Sequence, residues 1–153
     1  MCTYKMISYK RSLVYPLVSS NLAALIGIGV MTKPEPAVGL GLVFLLVAIL
    51  SAIYAYVLRQ QGEVFLLTAE GLDFQEKIGS PRQHFSMEEI GEMRYIVRPI
   101  YRNFLSHKLR IVGNSGNLLV EVNLNALAGA DFNDIYHFVQ EVAPYVQWDF
   151  PTN

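Results

Sequence analysis

The sequence predicts an α+β protein: an N-terminal transmembrane helical hairpin, then a small antiparallel β-barrel or sandwich closed by a C-terminal α-helix. Three observations lead there. Two long apolar runs, 13–31 and 37–58, are separated by five residues that include two prolines. After Gly62 the apolar period shortens to two, and from Phe132 it lengthens to steps of three and four.

The second run is the stronger membrane segment. It holds 22 residues without a charge, about 33 Å of helix at 1.5 Å per residue, enough for a hydrocarbon core of about 30 Å. The first run is interrupted by Ser19, Ser20 and Asn21. These polar groups are tolerable in lipid if they face a partner helix, and a lone amide such as Asn21 serves as helix–helix glue sooner than as part of a transport path. Pro34 and Pro36 stop one helix and start the next, so the two helices are antiparallel neighbours. Ser19, Ala23 and Gly27 on one run, and Gly41, Ala48, Ala52 and Ala55 on the other, offer small-residue stripes for close packing.

Orientation follows from Lys and Arg at the ends. Lys5, Lys10 and Arg11 precede the first run and Arg59 follows the second, while the link offers only Lys33. The positive-inside tendency then puts both termini in the cytoplasm of a multi-pass inner or plasma membrane protein, with Tyr15, Tyr54 and Tyr56 at the cytoplasmic interface. An N-terminal signal peptide would need a cleavage site of small residues. The sequence Ile26-Gly27-Ile28-Gly29-Val30 is a poor one, so the first segment is expected to be retained. Cys2 is the only cysteine, which excludes an intrachain disulfide.

Residues 1–60 therefore form a tail and membrane hairpin, with helices at about 13–31 and 37–58, and 61–153 form a β-rich domain. From 59 onward eight Lys/Arg face twelve Asp/Glu, the balance of an ordinary water-exposed domain. Strands are expected at 64–68, 72–76, 92–98, 109–113 and 118–124. The last is the clearest, with Leu118, Val120, Val122 and Leu124 on one face and Glu121 and Asn123 on the other. Gly113-Asn114-Ser115-Gly116 is a tight turn that pairs it with 109–112. A helix over 131–143 carries Phe132, Ile135, Tyr136, Val139 and Val142 on one side, with Asp131 as its cap.

A run of about six short strands, a turn at Thr68-Ala69-Glu70-Gly71-Leu72, Phe85-Ser86-Met87-Glu88-Glu89-Ile90 before a strand, and a final helix at 131–143 together resemble the bacterial membrane-anchored PH-like domain family. In that family a two-helix transmembrane hairpin accompanies a PH-like domain. The resemblance covers roughly 63–146 and implies a PH-like fold held at the inner leaflet. It does not imply phosphoinositide recognition here. Eukaryotic PH domains read that lipid with bases on the first two strands and their loop, where this chain has Glu70 and Asp73 and no base.

The most unusual polar feature is Arg94, Arg98, Arg102, Lys108 and Arg110, five bases from 94 to 110 with no acid among them. At strand spacing Arg94, Arg98 and Arg102 share one side, and Tyr95 and Tyr101 the other. The segment is either a solvated face balanced by the domain's acids or a contact for anionic lipid or an acidic partner. Nucleic acid is not expected, because the domain is net negative. No metal, cofactor or catalytic residues are expected. His84, His107 and His137 lack ligand spacing, Glu88 and Glu89 point apart and start a short helical turn after Ser86, and no phosphate loop or nucleophile elbow occurs. Trp148 and Phe150 read as packing anchors. The function implied is a non-enzymatic, membrane-anchored interaction module with a protein partner. A structural or assembly factor acting through the hairpin is the alternative.

Overall fold

The computed structural model describes residues 6–33, 37–101 and 104–150. The prolines and Glu35 of the helix link, and Arg102 of the basic segment, lie outside the described residues. The chain divides into two compact units, one of residues 12–62 and one of residues 1–11 with 63–153.

The helical unit contains α1 (Val14–Met31) and α2 (Val38–Gln60). Both are long and apolar enough to cross a membrane, at about 27 and 34 Å. Pro16 sits in the first turn of α1, where its missing N–H costs no helical bond. Arg59 lies in the last turn of α2, where positive charge is favoured. The helices meet through small side chains: Ala23 and Gly27 of α1, and Gly41, Ala48 and Ala55 of α2, are buried. A Cβ at Gly27 would lie 3.1 Å from the Gly41 carbonyl oxygen, so glycine there sets how closely the backbones approach. Of the three polar residues in α1, Ser20 is the one that bridges, donating to the Ala48 carbonyl of α2 at 2.9 Å. Ser19 and Asn21 instead donate to Pro16 and Leu17 of their own helix and are exposed, as is Ala52. Asn21 is therefore satisfied without acting as glue between the two helices.

Among the described residues the second unit holds eight strands in two sheets. The first sheet is β1 (Ile7–Tyr9), β2 (Phe65–Leu67), β3 (Gly71–Phe74) and β4 (Gln83–Ser86), in that order and antiparallel throughout. The second contains β5 (Ile90–Tyr101), β6 (Phe104–Gly113), β7 (Leu118–Asn123) and β8 (Gln147–Asp149), in the order β7-β6-β5-β8. The two sheets do not close into a barrel. Nor is the arrangement wholly antiparallel, since β8 follows the helix α3 (Phe132–Val142) and pairs parallel to β5.

The sequence pattern places residues 1–12 in a tail, but the structure uses part of that segment as a strand. Tyr9 stands opposite Phe65, its carbonyl accepts from Val64 N–H at 2.9 Å, and the residue is only 8% exposed. Farther along, Lys10 O accepts from Ala128 N–H, and the Arg11 guanidinium donates to the Gln75 and Glu76 carbonyls. The helical unit is thus inserted between two strands that pair with each other.

Both sheets and α3 contribute to one core. Phe65, Leu67 and Leu72 come from the first sheet, Met93, Leu109 and Ile111 from the second, and Ile135, Phe138 and Val139 from the helix, all nearly inaccessible. Asp131 caps α3 by accepting from Asn133 N–H at 2.8 Å, which satisfies one of the free donors of a helix start. Ser86 and Glu89 form a reciprocal capping box on the 3-10 turn Met87–Glu89, which accounts for the adjacent acids there. Between β2 and β3, Thr68 Oγ1 accepts from both Glu70 and Gly71 N–H. A Cβ on Gly71 would run into the Phe85 carbonyl oxygen, so only glycine fits.

Candidate interaction surface

Strand alternation and register decide where the basic residues point. Met93 faces Ile111 and Tyr95 faces Leu109, and since Met93, Leu109 and Ile111 are inaccessible, that face of the β5–β6 pair is turned to the core. Arg94 opposite Arg110, Ile96 opposite Lys108 and Arg98 opposite Ser106 occupy the other face.

Two arginines directly opposite each other repel, and the neighbouring strands supply the compensation. Glu121 of β7 stands opposite Arg110 and Asp149 of β8 opposite Arg94, so the row across the sheet reads acid, base, base, acid. Glu121 accepts from Lys108 and from Arg110, each at 2.6 Å. Arg94 donates to both carboxylate oxygens of Glu92, at 2.7 and 2.9 Å, and lies 3.7 Å from Asp149. Those hydrogen bonds from Arg94 hold the Glu92 carboxyl below its ordinary pKa, and Lys108 and then Arg110 do the same to Glu121. The Glu92 bond in turn raises the pKa of Arg94. Three of the five bases singled out in the sequence are therefore engaged within the sheet. Arg98 is exposed and, among the described residues, has no acidic partner. The four described bases are not gathered into one free patch, and Arg102 lies outside the described residues.

On the core side of the same pair an open groove of about 620 Å³ is lined by Tyr95, His107, Asn125, Asp131 and Phe132 among others. The Tyr95 hydroxyl and His107 Nδ1 are 2.6 Å apart, and burial raises the Tyr95 pKa. Phe132 stacks on Tyr95 with ring centres 3.8 Å apart and meets Trp148 and Phe150 edge-on. Trp148 and Phe150 belong to an aromatic cluster that fastens β8 beside α3. The Asp131 carboxylate, the nearest acid, is occupied in capping α3. The groove offers stacking faces and a hydroxyl–imidazole pair. Among the described residues that line it there is no Ser, Thr, Cys or Lys.

His84 pairs with Asp73 directly across β3 and β4, at 2.7 Å, a cross-strand contact on an exposed surface. Among the described residues no three His, Cys, Asp or Glu side chains converge as metal ligands.

Two features of this surface were not anticipated from the sequence. The acids that neutralise Arg94 and Arg110 come from strands distant in the chain, and a linear scan for charge runs does not see them. The large apolar side chains Ile100 and Phe104, near the ends of β5 and β6 that pair at Tyr101 and Phe104, are each 70% exposed. Their apolar character beside Arg98 and Arg102 was the available signal. Comparison with protein-family models, with curated proteins and with solved structures finds no match to this chain.

Proposed function

We propose that the chain is a non-enzymatic, membrane-anchored interaction module. In this reading α1 and α2 cross the inner or plasma membrane as an antiparallel hairpin, with both termini in the cytoplasm. The β unit, PH-like in kind, is held at the inner leaflet to meet a protein partner. The observation that carries the reading is the outward surface of the helical unit. Leu22, Leu25, Leu42, Leu46, Leu50 and Ile53 are each more than half exposed, an apolar surface far larger than water-soluble monomers present. Lipid is the medium that suits it. The PH-like reading is supported by the succession of strands into the amphipathic α3, and the inner-leaflet placement by Lys10, Arg11 and Arg59 at one end of the hairpin.

The second reading, a structural or assembly factor acting through the hairpin, drew on the small-residue stripes. Ala23, Gly27, Gly41, Ala48 and Ala55 are buried in the pairing of α1 with α2, and so are not free for another membrane helix. Crosslinkers at Gly41 or Ala48 would therefore report on the hairpin itself. Leu46 and Leu50, which are exposed, are the positions from which a foreign helix would be caught.

Thiol labelling tests the anchoring. In a Cys2→Ser background, Thr3→Cys and Asn114→Cys should be shielded from an impermeant reagent in intact cells, and Glu35→Cys should be labelled. Labelling at position 114 but not at 35 would reverse the topology. Equal labelling of all three in gently lysed, unpelleted extract and in intact cells would remove the membrane from the picture.

A further inference from the structure

The β5–β6 hairpin outruns its sheet. β8 pairs with β5 only at Glu92–Arg94 and β7 with β6 only at Lys108–Val112, whereas β5 and β6 stay paired to Tyr101 and Phe104. From Val97 to Tyr101 no further strand flanks the ribbon, which extends about 13 Å at roughly 3.3 Å per residue; along the β6 edge Asn125 still accepts from His107 N–H and donates to the Leu105 carbonyl. Its end is apolar and unpacked: Ile100 and Phe104 are each 70% exposed and Leu105 is 45% exposed. Arg98, beside them, has no acidic partner among the described residues, and from Met93 to Val120 the sequence contains no Asp or Glu.

A narrow ribbon ending in large apolar groups is a poor surface to leave in water. The chain itself indicates what covers it. Two helices of bilayer length make lipid the apolar phase that is always at hand. The charge pattern agrees, because Arg94, Lys108 and Arg110 farther down the ribbon are neutralised within the sheet while Arg98, near the apolar end, has no acidic partner among the described residues. An exposed arginine can lay its aliphatic stem along apolar surface and keep its guanidinium at the polar boundary. That is the geometry of a lipid headgroup contact, and an anionic leaflet attracts it over a Debye length of about 8 Å.

We propose that the end of the β5–β6 hairpin docks on an anionic lipid surface, with Ile100, Phe104 and Leu105 entering the boundary between headgroups and acyl chains and Arg98 meeting the lipid phosphates. This rests on the reading of α1 and α2 as membrane-spanning. It adds a second, reversible attachment to lipid, made by the β unit itself.

The test uses the full chain in vesicles of phosphatidylcholine mixed with phosphatidylglycerol, in a Cys2→Ser background with an environment-sensitive fluorophore on one introduced cysteine. Phe104→Cys reports the hairpin end, Asn114→Cys the opposite end of β6, and Leu50→Cys the middle of α2. Lipids brominated on the acyl chain quench what they touch. Quenching at 104 should exceed that at 114 by about twofold or more, as expected for a group about 5–10 Å into the boundary region. It should weaken in phosphatidylcholine alone and with Arg98→Gln. Quenching at 50 with none at 104 beyond that at 114 would overturn this proposal and leave the anchoring intact. No quenching at 50 would overturn the anchoring itself, and this proposal with it. A signal at 104 that follows the protein-to-lipid ratio but ignores bromine would seat a second copy of the chain on the hairpin end instead. Undiminished quenching in neutral lipid would remove Arg98 and the anionic headgroup from the contact.

Discussion

Excising the β unit as residues 61–153 should fail, because that fragment lacks β1. The control joins residues 6–11 to 63–150 through a short Gly/Ser turn, which the geometry allows since Tyr9 stands opposite Phe65. What β1 contributes can be worked out. Ordering its six-residue segment costs about 1–2 kcal/mol per residue. The ladder to β2, the Val64 and Ala128 N–H bonds, and the Arg11 contacts to Gln75 and Glu76 offset that at about 1 kcal/mol each, more for the charged donor. The net value of the strand is then carried by Tyr9, which is 8% exposed and whose ring packs 5.9 Å from Phe65. Truncating a buried aromatic to alanine costs about 3–5 kcal/mol, a large share of the roughly 5–15 kcal/mol that holds a domain together. Urea unfolding followed by circular dichroism should find the joined unit cooperative, and its Tyr9→Ala variant and the 61–153 fragment each about 3–5 kcal/mol weaker or unfolded. A fragment within about 1 kcal/mol of the joined unit would refute the claim that the N-terminal segment is part of the core.

Other perturbations are equally direct. In the joined unit, Phe138→Ala and Val122→Ala should cost about 2–5 kcal/mol, valine at the low end, and changes below about half a kcal/mol at both in urea titrations would mean those faces are not inside. Gly71→Ala should destabilise by more than the substitution does at an open glycine such as Gly62, because the added methyl meets the Phe85 carbonyl; equal effects in thermal melts would contradict the close approach. Glu92 and Glu121 have lowered folded pKa values, so their stabilisation is complete above the ordinary value of 4.5 and is lost as pH falls from there through the folded values. Urea midpoints should therefore drop between about pH 5 and pH 3, less steeply for Glu121→Gln; an unchanged slope in that variant would deny the carboxylate its role. Replacing Gly27 by Leu should splay α1 from α2, seen as lost crosslinking between Ser20→Cys and Ala48→Cys.

The elements that were legible in the sequence are those whose signal is local. The alternation at 118–124 and the turn at 113–116 gave β7 and its pairing with β6, and the period from Phe132 gave α3 with its Asp131 cap. β1, β4 and β8 were missed because each is only three or four residues long, too short for periodicity, and β1 and β8 are made strands by partners far along the chain. Ile7 and Tyr9 do alternate with Ser8, but the basic residues that follow and the nearness of a membrane helix gave them the look of a tail. The basic segment was visible as a composition. Its neutralisation by Glu121 and Asp149 depends on a register spanning four strands, and no window along the sequence contains it. Ser20 and Ser19 are equally plausible as the helix bridge by spacing, and only the rotation of α1 chooses Ser20.

The insertion of the helical unit between β1 and β2 also sets an order of events during synthesis. β1 leaves the ribosome first and has nothing to pair with until all of Ser12–Gly62 has followed. A loop of that length would be slow to close if it were a loose coil, because its ends must find each other by diffusion. Here the loop is itself a pair of antiparallel helices, and once α1 and α2 lock through Gly27 and Ala48 they return the chain to where it started. The pairing of the two helices thereby prepares the first strand pairing of the β unit. A weakened helix interface should show up first as delayed maturation of the β unit, with protease sensitivity persisting in newly made chains after the helices have formed.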